Sequence, residues 1–172
     1  MKLAKQGIRA TDLRETMQEM ATDDKQWKER LAAGVSYPAG DDVLEVAQQA
    51  YLDFFSVNAL YPGIFPSTER FEMEVIEMTA GLLHGENAVG AISSGGTESN
   101  LLGVKSARDR ARALRPEVVE PEIVAPASAH PSFQKAANFF GLKLVWTPLT
   151  EHGIVDVRAY HAAVNDNTVL MV

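Results

Sequence analysis

Across residues 11–33 the apolar positions Leu13, Met17, Met20, Trp27 and Leu31 recur at roughly helical intervals in a polar background. That spacing predicts an amphipathic helix, broken near Asp23-Asp24. Residues 34–40 are turn-rich, and Asp41-Asp42 then supplies a start signal for a helix running to about Val57. Residues 58–67 set two prolines and a glycine among bulky apolar side chains, a composition that suits an irregular segment pinned against something. Beyond it Phe71, Val75, Met78, Leu82 and Leu83 predict a helix from Ser67 to about His84, stopped by Gly85.

The rhythm then changes. Short apolar or β-branched runs at 89–92, 122–125, 143–147 and 168–172 alternate with segments of helical spacing. This is βαβ punctuation, and it implies a parallel sheet with helices on its faces. In the helix after the first run, Leu101, Val104, Ala107, Ala111 and Leu114 form one stripe. Arg108, Arg110, Arg112 and Arg115 crowd its carboxyl half, where cations suit the macrodipole. Further helices are predicted over 132–140, with Gly141 as the stop, and over 157–164. The last run, 168–172, is strand-like with no loop after it, although the loop following a parallel strand typically carries site residues. We therefore expect these residues to be part of a longer, truncated or cleaved product, which intact mass of the expressed protein checks.

Composition narrows the class. Apolar residues make up 46% of the 172 and charged residues 23%, which is globular usage and not that of a disordered chain. The net charge of −7, with 23 acidic residues spread along the chain, argues against a nucleic-acid or anionic-membrane surface. Without cysteine there is neither a disulfide framework nor a thiolate metal site, and the four histidines lack metal-ligand spacing, so no metal is expected. The amino terminus has no signal-like apolar run, and no stretch approaches the roughly 20 apolar residues of a membrane span. A cytoplasmic protein is the expectation.

The segment that carries chemistry is Ala91-Ile92-Ser93-Ser94-Gly95-Gly96-Thr97-Glu98-Ser99-Asn100. Glycines let backbone approach a ligand closely, and the free N–H groups of a first helical turn favour a phosphate. Hydroxyls of Ser94, Thr97 or Ser99 add possible donors. The same string also suits a plain tight turn with Thr97 as a helix N-cap. No Gly-Lys-Ser/Thr follows, which excludes a P-loop, and the dinucleotide glycine pattern is absent.

Residues 90–100 resemble the phosphate-binding signature of the pyridoxal-phosphate (PLP) dependent group II decarboxylase superfamily. Phe65-Pro66-Ser67, Glu72-Met73-Glu74-Val75 and Leu83-His84-Gly85 resemble its sphingosine-1-phosphate lyase branch. The stretch from Pro121 through His130-Pro131-Ser132 to Ala137 is similar to the segment that brings a histidine over the PLP ring. The likeness runs from about Val35 to Val172. It implies an α/β, PLP-dependent transferase-like large domain of fold type I, aspartate aminotransferase-like. That domain is truncated here, with residues 1–57 as a helical amino-terminal segment and 58–172 as its first part.

By the same resemblance Ser94, Gly95, Gly96 and Thr97 hold the cofactor phosphate, His130 stacks on the pyridine ring, and Asn58 and Tyr61 touch the substrate's polar head. Here Asn58-Ala59-Leu60-Tyr61 stands where relatives commonly show Asn-Pro-Leu-His. The Schiff-base lysine is expected beyond Val172, so no catalytic residue is assigned in this chain. Lys135 reads as a helix-surface cation, and His84, His152 and His161 as helix-end or surface residues. The resemblance implies a homodimeric lyase acting on a small-molecule amine, either an aldehyde-lyase or an amino-acid decarboxylase. From another class, a non-catalytic α/β interaction module also fits the residues.

Overall fold

A computed structural model describes residues 6–24, 39–85 and 87–172, which divide into two units, Met1–Glu69 and Arg70–Val172. In the first unit, helix α1 spans Ala10–Met20 and tightens into a 3-10 turn at Ala21–Asp23, where the sequence predicts the break. Trp27, Leu31 and residues 34–38 lie outside the described residues. Helix α2 spans Asp41–Asp53 with both aspartates in its first turn. It stops short of Val57 because the chain tightens: Phe55 N–H donates to Leu52 O, and Val57 N–H to Phe54 O. Helix α3, Pro66–Leu82, starts in this unit, with its proline where a missing N–H costs nothing.

The second unit continues with α4 (Gly96–Leu114), β1 (Glu122–Pro126), α5 (Ser132–Phe140), β2 (Lys143–Thr147), α6 (Val157–Ala163) and β3 (Thr168–Met171). The three strands form a parallel sheet in the order β2-β1-β3, with Ile123 in register with Leu144 on one side and Leu170 on the other. β1 is buried along its whole length. Ile123 and Val124 point to opposite faces, yet neither is exposed at all, so both faces of the central strand are covered. Ile123 packs with Val104 of α4, with Ala136 and Ala137 of α5, and with Leu142. Helix α6 packs on β1 and β2, and its Tyr160 hydroxyl lies 3.1 Å from Val124 O and 2.8 Å from Val172 O, sharing its proton between them.

The run at 89–92 is not a strand, contrary to expectation. No strand of the described residues lies beside it to complete a ladder. Its Ile92 N–H instead donates to Glu72 Oε1 of α3 at 2.8 Å, and Gly90 sits so close to Ile76 that a Cβ there would meet Cγ2 at 3.4 Å. The α4 arginines also do more than meet a dipole. Arg115 donates to Asp166 O and Thr168 O, tying the end of α4 to the start of β3, while the Arg108 guanidinium lies 5.0 Å from the Phe140 ring centre. Helix α6 begins where Asp156 caps it, accepting from the N–H groups of Arg158 and Ala159.

Gly141 ends α5 in the left-handed conformation, φ 67° and ψ 44°, and lets Leu142 N–H bond back to Ala137 O. A Cβ there meets no neighbour, so Gly141→Ala is expected to destabilise by about 1 kcal/mol, through backbone strain alone, in urea unfolding. Glu122 is buried at the start of β1, where it accepts from Lys143 Nζ at 2.6 Å and Asn165 Nδ2 at 2.9 Å. Those bonds, Lys143 first, hold its carboxyl below the ordinary value. The unfolded chain therefore takes up this proton more readily than the folded one. The bond's contribution is fully present above the ordinary carboxylate range and disappears as pH falls through the lowered value. Glu122→Gln should lower the urea midpoint at neutral pH, and the gap to the parent should close on acidification.

Candidate functional site

Helix α4 enters from an extended connector, so its first N–H groups have no preceding turn to bond. Ser99 N–H already reaches Gly95 O, whereas the N–H groups of Gly96, Thr97 and Glu98 have no acceptor among the described residues. The N-cap position is Gly95, which offers no capping side chain. Thr97 lies inside the helix, so the plain-turn alternative with Thr97 as the cap is not what forms. A Cβ built on Gly95 or Gly96 meets nothing within 4 Å. The start of a 19-residue helix is thus uncovered, with room for an anion against unpartnered donors. The Thr97 hydroxyl is also without a partner among the described residues and adds one more donor.

The predicted serine behaves differently. Both the N–H and the hydroxyl of Ser94 donate to Glu98 Oε2, at 2.7 and 2.6 Å, so its single hydroxyl proton is already engaged. These bonds, the hydroxyl first, hold the Glu98 carboxyl below its ordinary value. The carboxylate is turned back onto the connector, in a variant of the capping box. Ser93 Oγ lies 2.6 Å from Ser99 Oγ and donates to Gly95 O. With Glu72 holding Ile92 N–H, side chains fix the connector before and after the glycine pair.

His130 stands in the turn after β1, at the carboxyl end of the central strand, where ligands of parallel sheets bind. Its Nδ1 lies 2.8 Å from Ser132 Oγ and accepts from Ser132 N–H at 3.1 Å. The buried Ser132 hydroxyl in turn accepts from Asn100 Nδ2 at 2.8 Å. One hydrogen-bonded chain therefore joins the first turns of α4 to His130.

Asn58 and Tyr61 belong to the first unit. Asn58 Oδ1 accepts from Leu60 N–H in an Asx turn, and the Tyr61 ring is exposed. Lys135 is exposed on α5, and His84 follows the end of α3 at a positive φ of 55°. Sequence reasoning assigned no role to Glu72, Glu98, Asn100 or Ser132. Only Glu98 left a usable signal, a carboxylate in the first turn after a serine and two glycines.

The sequence is 39% identical over 171 residues to mouse sphingosine-1-phosphate lyase 1, covering 99% of this chain and 30% of that protein. It is 42% identical over 125 residues to the L-aspartate/L-glutamate decarboxylase of Pyrococcus horikoshii, covering 73% of this chain and 31% of that protein. The chain is a homologue of sphingosine-1-phosphate lyases and group II decarboxylases. No family model matches it. Among solved structures, a Burkholderia pseudomallei sphingosine-1-phosphate lyase superposes with a TM-score of 0.82 at 33% identity, over 99% of this chain and 41% of that one. Lactobacillus brevis glutamate decarboxylase, at 21% identity and a TM-score of 0.77, shares the fold over 99% of this chain and 40% of its own. The PLP-dependent transferase-like α/β fold expected from the sequence is therefore the fold observed, as part of a larger domain. The chain spans about a third of the length of the curated lyases and decarboxylases it matches. No helix among the described residues is long and apolar enough to cross a membrane.

Proposed function

We propose that the chain is part of a PLP-dependent carbon–carbon lyase of the sphingosine-1-phosphate lyase type. The full protein would cleave a phosphorylated amino alcohol to an aldehyde and phosphoethanolamine. The observation that carries this reading is the start of α4: the unpartnered N–H groups of Gly96, Thr97 and Glu98 beside open space at both glycines. Those amides, with the Thr97 hydroxyl, hold the cofactor phosphate, and Gly95 leaves the approach clear. Ser94 contributes by fixing the connector through Glu98. His130 covers the cofactor ring, and Asn58 and Tyr61 bind the substrate's polar head. Bound PLP supplies an electron sink for negative charge at the substrate's alpha carbon.

In this reading residues 1–57 are a helical amino-terminal segment and 58–172 the first part of the cofactor-binding large domain, in a cytoplasmic homodimer acting on a small-molecule amine. The lyase is favoured over an amino-acid decarboxylase because likeness to the mouse lyase extends over 99% of the chain, against 73% for the Pyrococcus decarboxylase. Full-length protein mixed with PLP should acquire a visible absorption band. It should release a long-chain aldehyde from a phosphorylated sphingoid base and no carbon dioxide from aspartate or glutamate. Carbon dioxide release with no aldehyde would make it a decarboxylase. No band and no product would leave only an interaction module.

A further inference from the structure

His130 is an exposed side chain on a turn, and to cover a cofactor ring it must keep one protonation pattern and one orientation. The hydrogen-bonded chain supplies an answer. Ser132 N–H has only a donor to offer, so His130 Nδ1, 3.1 Å away, must be an acceptor. The Ser132 hydroxyl accepts from Asn100 Nδ2, which leaves its own proton directed to the same Nδ1 at 2.8 Å. Two donors on Nδ1 force the proton of the neutral ring onto Nε2, which has no partner among the described residues. Ser132 is 3% exposed, so water does not compete for its hydroxyl.

We infer that Asn100 and Ser132 are positioning residues that lock His130 in the Nε2–H tautomer and present that N–H as a donor for an oxygen of the cofactor or of the substrate. This rests on the assignment of His130 to the cofactor site, but the tautomer itself is a property of the unliganded chain. Asn100 sits one turn into α4 and His130 follows β1, so the lock also couples the phosphate-binding end of the helix to the ring-covering side chain. A residue acting only in packing would not set the ring's proton position.

The test is long-range 1H–15N NMR of the uniformly 15N-labelled chain at a pH where the rings are neutral. His130 Nδ1 is expected to resonate as an acceptor nitrogen and Nε2 as a protonated one, with His84, His152 and His161 as internal references. Asn100→Asp keeps the size but reverses the bond, drawing the Ser132 proton to the new carboxylate. The ratio of Nε2–H to Nδ1–H at His130 should then fall about fivefold, the worth of one hydrogen bond. Ser132→Ala should give a similar fall. A parent chain with the His130 proton on Nδ1, or a ratio unchanged in both variants, would overturn the inference. Phosphate added to the same samples reads the function separately through the amide shifts of Gly96 and Thr97. Loss of that response with the tautomer intact would sink the cofactor reading and leave the lock standing.

Discussion

Gly96→Asp in the full-length protein is expected to weaken PLP binding by at least about 100-fold while leaving the fold as stable as before, within about 1 kcal/mol. The two effects separate because they have opposite electrostatic signs. A carboxylate in the first turn of α4 is favoured by the exposed N–H groups, and that turn already holds one acidic residue, Glu98. The space around Gly96 is open, so the new side chain displaces nothing of the protein. A phosphate dianion arriving at the same amides would meet that carboxylate at close range, where each pair of unit charges costs roughly 1–4 kcal/mol in partly hydrated surroundings. Calorimetric titration with PLP and urea unfolding of the same variant read the two quantities. A variant that binds PLP as tightly as the parent would place the phosphate elsewhere.

Ile123→Ala is expected to cost about 4 kcal/mol of folding stability, near the upper part of the range for such truncations. Ile123 is fully buried in the middle of the central strand and touches residues from both helices on its face. The cavity cannot collapse easily, because Ala136 and Ala137 opposite it are small side chains on a helix that is itself held at Gly141 and Leu142. The loss also bears on the site, since β1 carries the turn that holds His130. The urea midpoint should fall with little change in slope. A cost under about 1 kcal/mol would show that the sheet is not the unit's core.

The parts of this fold that were legible in the sequence are those with local signals. The helix at 132–140 and its stop at Gly141 follow from spacing and one glycine, and both are observed. The strands β1 and β2 follow from the short apolar or β-branched runs at 122–125 and 143–147; β1, one residue longer than its run, is buried along its length as a covered parallel strand is, while β2 leaves Lys143 and Trp146 exposed. The same rule misread residues 89–92, because an apolar run makes a strand only when another strand lies beside it. Here a side chain twenty residues away takes the N–H instead. The glycine pair was legible as an open helix start, yet its supports were not. Glu72 meets Ile92 across 20 residues, and Asn100 meets Ser132 across 32, through contacts that the fold makes and local spacing does not encode. Such bonds leave no periodicity along the chain. Glu98 turning back on Ser94 was within reach of sequence reasoning, since its spacing is local.

The central claim is that the first turn of α4 grips the phosphate of the cofactor. Comparing PLP with pyridoxal, which lacks only that phosphate, as ligands of the full-length protein by calorimetry isolates the interaction. The account predicts that PLP binds at least about 100-fold more tightly, the worth of a few charge-assisted hydrogen bonds. Equal affinity for the two would contradict it.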